Sequence, residues 1–121
     1  GERTWAVVIG VSRYDDASCT PLKFAHRDAL AFAEFLKSDA GGKVPADHLR
    51  VLVSPPPGEG MSEGAEPATE RRARKAISEI LESAGTTETV FLFYSGHGAT
   101  KGENAYFLFR DSERSDLHTS A

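Results

Sequence analysis

The sequence predicts an α/β fold with a mostly parallel central sheet, and three observations carry that prediction. Short apolar runs rich in β-branched and aromatic residues recur at Trp5–Val11, Leu49–Val53 and Thr89–Tyr94. The two stretches between them carry helical rather than strand periodicity. The runs also lack the polar alternation of a sheet wetted on one face, as strands covered on both faces do. Strand, helix, strand, helix, strand implies two right-handed crossovers, with helices on both faces of the sheet.

Each element follows from its residues. Trp5–Val11 (WAVVIGV) is bounded by polar residues and predicts the first buried strand. Ser12–Thr20 is rich in turn formers and precedes Pro21, so it predicts a loop. From Lys23 to about Ala40, residues Ala25, Ala29, Phe32 and Leu36 recur at helical spacing, with Phe35 widening the stripe. Gly41 and Gly42 end that helix. Leu49–Val53 (LRVLV) predicts the second strand. Residues 54–68 predict a long surface loop, because Ser54–Pro67 holds four of the six prolines and three glycines. Thr69 caps a second helix whose buried stripe is Ala73, Ile77, Ile80, Leu81 and Ala84, with Gly85 as its stop. Thr89–Tyr94 predicts a third buried strand and Ala105–Phe109 a further extended piece. Ser112–Ala121 offers little to bury.

Size and charge narrow the function. At 121 residues the chain is one domain at most. Such an apolar three-stranded parallel sheet calls for more neighbours, so residues 1–121 read as the front part of a larger domain. A formal net charge of −4 argues against a general binder of nucleic acid or of membrane surfaces. No apolar run approaches the ~18–20 residues that span a bilayer. No charged-then-apolar leader opens the chain, and Gly1-Glu2-Arg3 suggests a trimmed start. A single cysteine excludes an internal disulfide and fits a reducing compartment, with the cytoplasm as the expectation.

The chemistry-bearing motif is Ser95-Gly96-His97-Gly98, directly after the third apolar run. It places an imidazole between two glycines at the carboxyl edge of the sheet, where open parallel sheets bind ligands. A neutral imidazole there can take a proton from a thiol or hydroxyl. The bland alternative is a histidine that only caps a strand end. Metal chemistry is not expected, because His26, His48, His97 and His118 share no ligand spacing and Cys19 has no partner cysteine. No cofactor is expected either. Ser95 lacks the Gly-x-Ser-x-Gly elbow of a nucleophile, since Phe93 stands two residues before it, so it is expected to line a pocket or bond the turn. His26-Arg27-Asp28 matches the kinase catalytic triplet only by accident, with Ala33 where an asparagine is needed. Asp28 reads either as a first-turn carboxylate favoured by the helix dipole or as an anion at a pocket mouth. Cys19 reads as an inert thiol rather than a nucleophile.

Three stretches together resemble the caspase-like cysteine peptidases, the clan of caspases, metacaspases and paracaspases, in bacterial style. They are WAVVIGVSRY (Trp5–Tyr14), LKFAHRDAL (Leu22–Leu30) and VFLFYSGHG (Val90–Gly98). Ala105–Phe109 followed by Asp111 also looks like the segment after the catalytic histidine. The resemblance covers nearly the whole chain, and the Tyr-Ser-Gly-His-Gly signature is specific. It implies a caspase-like three-layer α/β sandwich, incomplete in this chain, around a six-stranded core sheet. It implies that His97 is catalytic and that the Gly98 N–H donates to an oxyanion. It implies a nucleophilic cysteine at the end of the next parallel strand, outside this sequence. The implied partners are therefore the segment carrying that cysteine, a polypeptide substrate and a sensor or regulatory domain. Relatives that cut after aspartate carry an arginine where Leu22 stands. An acid at the Asp28 position implies cleavage after Arg or Lys, unless Arg13 neutralises it. The rival readings are a caspase-fold interaction module without catalysis, or another α/β hydrolase or nucleotide binder.

Overall fold

The computed structural model describes residues 2–113, so His118 and most of the Ser112–Ala121 tail lie outside the described residues. Strand β1, Thr4–Val11, is the centre of the sheet. It pairs in parallel with β2 (Leu49–Ser54) on one side and with β4 (Thr89–Ser95) on the other. A two-residue strand β3, Glu66–Pro67, extends the sheet beyond β2, also in parallel. The expected surface loop over 54–68 thus contains a strand. Pro67 is tolerated because β3 is an edge.

The helices lie on opposite faces. Helix α1, Ala25–Lys37, covers Ala6, Val8 and Val53 with Ala29, Ala33 and Leu36. Helix α2, Glu70–Ser83, covers Val7, Ile9 and Val11 with Ala73, Ala76 and Ile80. Odd and even residues of β1 therefore serve different layers, the period-two logic of a strand buried on both faces. Ile9 and Leu52 are fully buried, which contributes about 1.5–3 kcal/mol for each such side chain. Gly10 lets α1 approach, since a Cβ there would lie 2.4 Å from the Ala25 carbonyl oxygen and 2.6 Å from the Ala29 Cβ.

Helix ends follow local chemistry. α1 stops three residues short of the expected Ala40, because the Ser38 hydroxyl and N–H both bond the Phe35 carbonyl, at 2.6 and 3.0 Å. Thr69 caps α2 as expected, its Oγ1 accepting the Arg72 N–H, and Asp111 accepts the Glu70 N–H at 2.9 Å. Ala76 is buried in place of Leu81, which is rotated to the rim of the stripe and exposed.

Two expectations are corrected at β4 and after it. β4 is an edge strand among the described residues rather than a buried one, with Val90, Phe91 and Leu92 exposed. The reason is that β1 alone pairs with it. The extended piece expected at Ala105–Phe109 is half of an antiparallel hairpin, β5 (Gly98–Lys101) with β6 (Asn104–Phe107). The hairpin packs on the α2 layer through Tyr106, Ala99 and Phe109.

Candidate active site

The chain after β1 leads on to α1 on one face, with Tyr14 and Cys19 on the way packing in the α2-side cluster, and the chain after β4 leads to the hairpin on the α2 face. Adjacent parallel strands whose exits diverge in this way leave a crevice at their carboxyl ends. Tyr14 and Arg13 follow β1 into this region, and Gly96 and His97 follow β4.

The backbone of His97 is held on both sides by tyrosines. Its N–H donates to Tyr14 Oη at 2.7 Å, and its carbonyl accepts from Tyr94 Oη at 2.8 Å and from the Leu108 N–H at 3.0 Å. Tyr94 Oη also meets the Leu108 carbonyl and lies 3.4 Å from Tyr14 Oη. Burial pushes both phenols up from their ordinary range, so they remain neutral hydroxyls. Gly96 has a steric reason to be glycine: a Cβ would sit 2.5 Å from Tyr94 Oη and 2.7 Å from Tyr14 Oη. At Gly98 a Cβ would meet only the Tyr106 carbonyl oxygen at 3.5 Å, an ordinary contact.

His97 Nε2 lies 2.6 Å from the Thr20 carbonyl oxygen. A carbonyl only accepts, so Nε2 carries the proton and Nδ1 holds the lone pair in the neutral ring. The ring also packs at a tilt on Tyr14, with centroids 5.2 Å apart. The bond from Leu108 N–H to the His97 carbonyl makes Gly98 and Phe107 a non-hydrogen-bonded pair. The Gly98 N–H therefore points away from the hairpin.

His97, Gly98, Ser18, Cys19, Thr20 and Leu108 line a small cleft of about 80 Å³. Asp28 and Ser95 are not among its lining residues. Ser95 ends β4 opposite Gly10. Asp28 is exposed on the first turn of α1, and no described cation, Arg13 included, forms an ion pair with it. Among the described residues no group of three His, Cys, Asp or Glu side chains is placed to hold a metal ion. No described helix is long and apolar enough to cross a membrane.

Sequence reasoning missed the two tyrosines, because nothing local announces a contact between Tyr14 and a residue 83 positions later. It also passed over His26, which is buried between Ser12 Oγ, 2.7 Å from Nδ1, and Glu59 Oε2, 2.6 Å from Nε2. Glu59 also reaches Arg27 at 3.2 Å, and the His26 bond first, then Arg27, holds its carboxyl below the usual range. Ser12 is fully buried, so this Ser–His–Glu row fastens the 54–68 loop to α1 and β1 rather than exposing a nucleophile.

A parallel sheet between two helical layers, with a histidine presented where adjacent strands diverge, defines the architectural class. Residues 3–117 match the model of the caspase domain family, peptidase C14. The chain belongs to that family, and the expected caspase-like α/β sandwich stands. A probable protease of a Desulfuromonadales bacterium is 41% identical over 101 residues, which is 81% of this chain and 12% of the relative. The chain thus spans 12% of the length of that curated relative. The peptidase C14 family and a relative that is a probable protease support a peptidase function.

Proposed function

We propose that this chain is the histidine-bearing part of a cysteine endopeptidase that cuts polypeptides after Arg or Lys, with the cysteine supplied from outside this sequence. The observation that carries the reading is the Nε2–Thr20 bond, which leaves Nδ1 as the base. In the reaction, Nδ1 takes the thiol proton and the thiolate attacks the scissile carbonyl carbon. The Gly98 N–H donates to the developing oxyanion. The imidazolium then protonates the leaving amine, and water hydrolyses the thioester to return the thiol. The Thr20 carbonyl fixes the ring's tautomer throughout, while the Tyr14 and Tyr94 hydroxyls fix its backbone.

Asp28 supplies the anion for a basic residue on the acyl side of the scissile bond. Its support is the family resemblance and the lack of a described cation bound to it. The half-exposed apolar side chains of β4 support a further strand there, from the segment that carries the cysteine. The much greater length of the relative supports additional sensor or regulatory domains and regulated proteolysis. We place the protein in the cytoplasm, on its single cysteine.

The test is to incubate the full-length gene product with fluorogenic peptides ending in Arg, Lys or Asp, beside His97→Ala and Asp28→Ala variants. Cleavage after Arg and Lys that vanishes in His97→Ala and weakens in Asp28→Ala is expected. Equal cleavage by the His97→Ala protein would end the assignment. Arg and Lys cleavage unchanged by Asp28→Ala would remove Asp28 from the specificity pocket.

A further inference from the structure

Arg13 is out of keeping with the two other partly buried arginines, Arg50 and Arg110, both of which are paired, Arg110 with Asp15 at 3.4 Å. Arg50, with 26% of its side chain exposed, binds Glu66 through Nε and Nη2 at 2.7 and 2.9 Å and Glu79 through Nη1 at 2.8 Å. Arg13 is also partly buried, yet its Nε is sealed from solvent with no hydrogen-bond partner in the structure. It forms no ion pair among the described residues. A buried donor left unpaired is unfavourable, and a guanidinium more so.

The position of Arg13 is well defined. Its N–H donates to the Ser54 carbonyl at 3.1 Å, and its own carbonyl accepts from Ser54 Oγ at 2.6 Å. The residue is therefore pinned between the carboxyl ends of β1 and β2. The next residue, Tyr14, holds the His97 N–H. Of the guanidinium nitrogens only Nε is both dry and orphaned. A shift of the side chain that uncovers Nε would let a carboxylate satisfy it and a terminal nitrogen together, in the two-pronged geometry that arginine favours.

We infer that Arg13 is an anion-recognition residue at this edge of the sheet, and that it receives the carboxylate of an acidic side chain flanking the scissile bond of the substrate. The peptide as source of the carboxylate rests on the peptidase reading above; the unpaired guanidinium does not. Substrates would then pair a basic residue at the cut with an acidic one nearby, matching the opposite charges of Asp28 and Arg13.

The test uses the full-length gene product and peptide pairs with Arg at the cut, differing only by Glu against Gln at one flanking position at a time. At one position the acid is expected to raise kcat/KM about tenfold over the amide at low salt, a difference of ~1.4 kcal/mol. In Arg13→Gln that ratio should fall to about one, and Arg13→Lys, which keeps the charge without the fork, should retain only part of it. The acid-to-amide ratio is internal to each variant, so a general loss of activity does not mimic the result. If Arg13→Gln does not fold, the drop in Arg13→Lys decides. The same pairs, labelled, are measured for binding by fluorescence anisotropy on His97→Ala protein with and without Arg13→Gln. A preference for the acid that Arg13→Gln erases, without any cleavage by the wild type, would sink the peptidase reading and keep the anion site. Cleavage without acid preference at any position, or a preference that survives Arg13→Gln, would overturn the role of Arg13.

Discussion

The two edges of the central sheet are built from similar residue types and end in opposite states. At the amino edge the polar groups pair with one another. Trp5 Nε1 donates to Glu88 Oε1 at 2.8 Å, and the same oxygen takes the Gly85 N–H at 2.6 Å. The Trp5 indole stacks on His48 with centroids 3.6 Å apart, and His48 Nδ1 donates to the Thr4 carbonyl at 3.1 Å. At the carboxyl edge the backbone around His97 is tied as firmly, but the His97 Nδ1 lone pair, the Gly98 N–H and the Asp28 carboxylate have no partner among the described residues, and the Arg13 Nε is buried and unpaired. Satisfied polar groups stabilise a fold, whereas open ones on a rigid frame are what a substrate can engage.

The comparison can be broken most directly at His97. His97→Ala should lower peptide cleavage by the full-length protein on the order of 10²–10⁴-fold, the contribution expected of a lost general base; steady-state kinetics measures it. A second substitution tests whether the open edge depends on its frame. Tyr14→Phe removes the acceptor of the His97 N–H and should cost about 1–3 kcal/mol of stability, read from the denaturant midpoint, with kcat falling alongside as the ring loses its support. At the other edge, Trp5→Phe keeps a ring on His48 and deletes one donor. It should cost about 0.5–1.5 kcal/mol while the preference among Arg, Lys and Asp peptides stays the same. A shift in that preference would mean the edges are not independent.

The smallest effect is electrostatic. The Arg50 bond holds the Glu66 carboxyl below its ordinary value of 4.5, and the Gly85 N–H and then Trp5 do the same for Glu88. Folded values below unfolded ones contribute stability that is full above the ordinary carboxylate range and is lost as pH falls through the folded values. Thermal stability should therefore decline below about pH 4.5. Glu66→Gln should flatten that decline by no more than about 1 kcal/mol, as a partly exposed pair allows. A pH profile of Tm checks it.

Much of the fold was legible in the chain. The apolar runs at Trp5–Val11 and Leu49–Val53 became β1 and β2 within a residue, and Thr69 capped α2, because strand composition and capping act locally. The burial of Thr89–Tyr94 was misread, since an apolar run reports what a strand can bury and not how many neighbours pair with it. The hairpin partner at Gly98–Lys101 was missed because its GATK composition carries no strand signal. Within the candidate site, the glycine-flanked His97 stood out at once, and Asp28 was placed on the first turn of α1.

The amino-acid sequence alone determined the order of elements, the alternation of layers and the presence of one histidine at a strand's carboxyl end. These follow from periodicity, capping and turn chemistry, all of which act over a few residues. Only the tertiary structure decided which nitrogen of that histidine is free, because the answer depends on the Thr20 carbonyl, 77 positions away. It alone also showed that Arg13 has a dry, unpaired donor and that Asp28 and Arg13 form no ion pair with one another. Hydrogen-bond satisfaction is a property of groups brought together by the whole fold, and no local pattern encodes it.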